Sequence, residues 1–134
     1  MDMMTLTGYE TTVLSWGAVT LLLLIQVIVV DVVGLRAKHL PGAPVEADHG
    51  NLLFRTTRTV ANTNESIAIY ILVMLFCVFS GADAQYTGLL SWGYVASRAA
   101  YALCYYFNIQ MMRSVCFGLS LIALLGLLIT GFIS

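Results

Sequence analysis

The chain predicts an all-α integral membrane four-helix bundle, on three observations. Of its 134 residues, 60% are hydrophobic and 10% charged, against about 45–50% and about 25% in an ordinary soluble domain. Its uncharged runs are long: Thr11 to Val30 (20 residues), Ser66 to Ala82 (17), Ala84 to Met112 (29, broken by Arg98 alone) and Ser114 to Ser134 (21). None alternates in the manner of a barrel strand, so the backbone polar groups must be satisfied within helices. Since about 20 apolar residues cross the hydrocarbon core, the run of 29 fits one long or tilted helix. Four spans follow, at about 11–33, 54–80, 86–107 and 113–133 of a single domain, 1–134.

Taken in order, residues 1–10 lead into a first helix that includes Gln26 and Asp31, and Gly34 with the basic pair Arg36 and Lys38 is expected to stop it. No basic n-region and no small-residue cleavage site mark this run as a signal peptide, so it is kept as a span. Residues 37–52 hold both prolines, Pro41 and Pro44, and two glycines, which marks the one long loop. The second helix is expected to begin at about Asn51 to Leu53 and to run to about Ser80, longer than a bilayer needs, so its first three turns project. The third carries Tyr94, Arg98, Tyr101, Tyr105 and Asn108 at steps of 4, 3, 4 and 3, a one-sided polar and aromatic stripe. In the fourth, the small residues Gly118, Ser120, Ala123, Gly126, Thr130 and Gly131 permit close helix contacts.

Charge orients the bundle. Arg36, Lys38, Arg55 and Arg58 flank the first connection and Arg113 lies at the third, while the second has Asp83 and no basic residue. By the positive-inside rule the first and third connections face the cytoplasm and both termini face outward, with a bacterial inner membrane expected. A net charge of −1 without a basic patch argues against a nucleic-acid partner. Cys77, Cys104 and Cys116 fall within spans and form no Cys-x-x-Cys, so neither a disulfide framework nor a thiol relay is supported and packing roles are expected. His39 and His49 both lie in the long loop, which leaves no span with a haem or metal ligand set.

Two constellations carry chemistry. Arg58, Asn62 and Glu65 stand at i, i+4 and i+7 on one face of the second helix, with Arg55 one turn before them. A carboxylate there must be neutral or paired, and Arg98 of the third span is its natural intramembrane partner. Arg113, at the start of the fourth helix, stands where the positive helix terminus already favours anions. It can be an ordinary membrane anchor or the cation that holds a thiolate.

With those residues in view, Arg58-x-x-x-Asn62-x-x-Glu65 resembles the helix-two signature of the MAPEG superfamily, membrane-associated proteins in eicosanoid and glutathione metabolism. Gly34-Leu-Arg36-x-Lys38 resembles the family's basic exit from helix one, Arg98, Tyr101 and Tyr105 its third-helix face, and Arg113-Ser114 the pair opening its fourth helix. The resemblance covers most of the chain. It implies a homotrimer with glutathione, as cosubstrate, held between subunits by Arg36, Arg58, Asn62, Glu65, Tyr105 and Ser114, with Arg113 activating the thiol. Lipophilic electrophiles or peroxides entering from the bilayer would be the acceptors. Two departures stand against full equivalence: Ala61 replaces a further glutathione-binding Arg of some members, and Phe117 a Tyr of the prostaglandin synthase type.

The expected function is therefore a glutathione-dependent transferase or peroxidase. The alternative is a noncatalytic trimeric membrane protein that binds lipid or joins a larger membrane complex and uses the same polar groups as structural glue. An exporter of lipophilic cations is disfavoured, because arginines flank Glu65 and would repel such a substrate.

Overall fold

A computed structural model describes residues 6–134; the expectation of an outward N-terminal segment at residues 1–5 lies outside the described residues. Four helices, α1 (Glu10–Arg36), α2 (Leu52–Ser80), α3 (Ala84–Tyr106) and α4 (Gln110–Phe132), account for most of them, and no strand occurs among the described residues. α1, α2 and α4 are each long and apolar enough to cross a membrane. α3 is of similar length but is diluted by its buried polar face: Thr87, Ser91, Ser97 and Arg98 turn inward, whereas Leu89 and Leu103 turn outward.

Each helix end has a local cause. Asn51 caps α2 by accepting the Leu53 N–H through its side chain at 3.0 Å, and Asp83 caps α3 by accepting the Tyr86 N–H at 2.9 Å. The C-termini of α1, α2 and α3 close in the same way. Lys38, Gly81 and Asn108 take left-handed conformations (φ 55°, 72° and 59°). The next N–H then reaches back to the carbonyl of Gly34, Cys77 and Cys104 respectively. Gly34 does not stop α1 as expected. It lies inside the helix, which ends at Arg36 because Lys38, not the glycine, reverses the chain.

α3 and α4 form the closest-packed pair, and α1 and α4 each pack on both α2 and α3. The interior mixes apolar and polar groups: Val73, Met74, Cys77, Leu124 and Leu127 lie at one end. Tyr70 and Tyr94 stack at 4.4 Å at mid-height, their hydroxyls bonded to Ser15 and Ser66 at 2.6 and 2.7 Å. Toward the end that carries the 37–51 loop, the interior becomes polar, with Thr56, Thr59, Thr63 and Arg98 all fully buried. The threonine hydroxyls each donate to a carbonyl of their own helix, which satisfies them as donors.

Candidate functional site

The polar stripe of α2 meets the α3–α4 hairpin at the loop end. Arg98 is fully buried on α3. Its guanidinium donates to Asn62 Oδ1, to Thr63 Oγ1 at 3.5 Å and to Ser120 Oγ of α4 at 3.4 Å, and it lies 4.5 Å over the Tyr101 ring. The Asn62 amide turns its other end outward, and Nδ2 donates to Glu65 Oε2 at 3.3 Å. Glu65 in turn pairs with Arg58 at 3.6 Å, and both side chains are substantially exposed. One amide thus joins a buried cation to an outward-facing ion pair. The expected Glu65–Arg98 pair is replaced by this relay, because Asn62, one turn nearer the loop end of α2, occupies the position beside the guanidinium.

Below it, Asn62, Tyr101, Arg113, Ser114 and Phe117 line a cavity of about 240 Å³. Arg113 lies 4.5 Å over the Tyr105 ring, and one of its terminal nitrogens, Nη1, is buried without a hydrogen-bond partner. Such a donor has full capacity for an anion. The Ser114 hydroxyl is exposed and reaches only the Gln110 carbonyl, at 3.5 Å.

Of the residues singled out from the sequence, Asn62, Arg113 and Ser114 share this cavity, Tyr105 supports Arg113 from beneath, and Glu65 and Arg58 connect through Asn62. Arg36 is exposed at the end of α1, and no hydrogen bond or ion pair joins it to the group among the described residues. Tyr101 and Phe117 enter the lining as additions. Their signals were available, since Tyr101 belongs to the α3 stripe and Phe117 lies one turn beyond Arg113.

His49 is the addition that no spacing announced. Its ring packs on Tyr105 (centroids 6.1 Å apart, interplanar angle 23°) and edge-on against Phe54 (5.0 Å). Arg55 fastens this part of the loop, donating to the His49 carbonyl at 2.8 Å and to the Tyr106 carbonyl at 3.4 Å. Arg55 therefore ties the loop to α3 and contributes nothing to the cavity lining. No group of three or more His, Cys, Asp or Glu suited to a metal occurs among the described residues.

The cavity can hold a small anionic or thiol-bearing group beside a partly free guanidinium, with a carboxylate one step away for a cationic end. The family model described as the MAPEG family matches residues 12–133. No curated protein matches the chain.

Proposed function

Since the chain belongs to the MAPEG family of membrane proteins, whose members include glutathione transferases, we propose that it conjugates or reduces lipophilic acceptors with glutathione as cosubstrate. The observation that carries this reading is the buried, unpartnered Nη1 of Arg113 in a cavity shared with Asn62 and Ser114. A free thiol titrates near 8.5, and each unit of depression by a cation is worth about 1.4 kcal/mol. One guanidinium is then enough to populate thiolate at neutral pH. The thiolate sulfur attacks the electrophilic carbon of an acceptor that arrives from the bilayer and displaces its leaving group, or attacks a peroxide oxygen, breaking the O–O bond and releasing the alcohol, after which a second glutathione takes the sulfenic acid to the disulfide and water; Arg113 holds the charge until the new bond forms.

Glu65, with Arg58 and Asn62 beside it, takes the tripeptide's amine, and Tyr105 sets the height of Arg113. A cavity of about 240 Å³ is smaller than the roughly 300–1,000 Å³ usual for a small-molecule site, so a second subunit completes it. Arg36 of that neighbour supplies the missing cation, which makes a homotrimer the assembly this reading requires. The site faces the cytoplasm of a bacterial inner membrane, with both termini outward.

In a thiol-conjugation assay on purified protein, Arg113→Ala is expected to slow turnover at least tenfold and to move the rising limb of the pH–rate profile upward. Absence of thiol-dependent turnover in the wild type, or an unchanged rate in the variant, overturns the reading. A second reading is favoured by the Arg98–Asn62–Glu65–Arg58 chain, whose members already bind one another. It is a noncatalytic trimer that binds lipid or attaches to a larger membrane complex, and Ala61 and Phe117, where relatives carry extra donors, fit that role.

A further inference from the structure

Two of the three cysteines, distant in sequence, come together in the fold. α3 and α4 run antiparallel through a three-residue turn, 107–109. Their register is visible in three contacts: Arg98 with Ser120, Tyr101 with Phe117, and Tyr105 with Arg113. Cys104 and Cys116 stand beside that seam, each one residue before a member of it, Tyr105 and Phe117. Cys116 is buried with Tyr101 and Tyr105, and Cys104 packs against the same cluster, which puts both cysteines at one contact between α3 and α4. Cys77 sits apart, its thiol directed to the Leu127 carbonyl at 3.1 Å.

We propose that Cys104 and Cys116 form a redox-active dithiol that is oxidised to an intrachain disulfide by hydroperoxides dissolved in the bilayer. Access distinguishes the two sulfurs. Cys104 is half-buried beside Leu103 and Phe107, which are 56% and 74% exposed, whereas Cys116 is 5% exposed. Cys104 sulfur attacks the hydroperoxide's terminal oxygen; the O–O bond breaks and the alcohol leaves with the thiol's proton, giving a sulfenic acid. Cys116 sulfur attacks that sulfur, the S–O bond breaks, water leaves and the S–S bond forms. The hydroperoxide gains the two electrons that the dithiol loses, and an external thiol in twofold amount restores both cysteines. The disulfide would staple α3 to α4 within a turn of Tyr105 and Arg113.

This inference stands independently of thiol conjugation, and its test reads cysteines directly. Purified protein in lipid vesicles is treated with cumene hydroperoxide, then labelled with an alkylating reagent, digested and mapped. Labelled cysteines are expected to fall from the three present to Cys77 alone, with a linked Cys104–Cys116 peptide and full recovery in dithiothreitol. Cys104→Ser and Cys116→Ser are each expected to form no disulfide. Continued labelling of both residues in the wild type overturns the proposal, as does a disulfide that links two chains. Peptide mapping of the wild type decides the matter even where a serine variant fails to fold.

Discussion

Arg98 is fully buried yet bonds only neutral oxygens, those of Asn62, Thr63 and Ser120. A hydrogen bond to a charged group contributes about 1.5–3 kcal/mol, and loss of one here leaves a cation without its best acceptor in a medium that solvates it poorly. Asn62→Leu is expected to lower stability by about 2 kcal/mol, read as a drop in thermal midpoint in detergent; a midpoint within error of the wild type would contradict the assignment. Glu65 and Arg58 are 60% and 40% exposed, and a pair so solvated contributes less than about 1 kcal/mol. The spacing of this stripe could be read from the sequence, but its partner choice could not. Whether Arg98 meets residue 62 or residue 65 depends on an axial offset of about one turn between α2 and α3, which no single-helix periodicity encodes. His49 was hidden for a different reason, since its place depends on bonds that Arg55 makes to two carbonyls. If it fixes Tyr105 under Arg113, His49→Ala should raise the thiol KM severalfold with little change in kcat. His49→Phe, which keeps a ring there, should restore KM.

At the scale of the helices, the four segments were legible almost to their ends, because charge-free runs and Asn, Asp and Gly punctuation act locally. The C-terminus of α1 was misread for an equally local reason: glycine favours the left-handed position, but Lys38 adopts it at φ 55° and Gly34 stays helical. An L-residue pays about 1–2 kcal/mol for that conformation. Gly81→Ala, at φ 72°, should therefore destabilise the α2–α3 turn by about 1 kcal/mol, measured by chemical unfolding, while Lys38→Gly should not. Span character was less legible for α3, whose sequence alone cannot say that its polar residues are buried and its apolar ones turned out.

For the molecule as a whole, the outer surface is apolar along α1 and α4, where Leu21, Leu24, Ile28, Leu121 and Ile122 are among the exposed side chains. It is polar at Arg58 and Glu65, which are 40% and 60% exposed in the half of α2 nearer the 37–51 loop. Ionised groups facing hydrocarbon are costly, so the proposed trimer should cover them. Mass measurement in detergent is expected to give three copies of the 14.6 kDa chain, and a monomer at all concentrations would remove the basis for a shared site. The unequal connections carry a consequence for folding. α2, α3 and α4 are joined through three residues each time, 81–83 and 107–109, whereas fifteen, 37–51, separate α1 from α2. Closing short loops is fast and contacts near in sequence form early. The last three helices should therefore assemble as one cooperative unit, leaving α1 as the piece that docks late, frays first and, in a crowded membrane, is best able to lodge on the wrong copy.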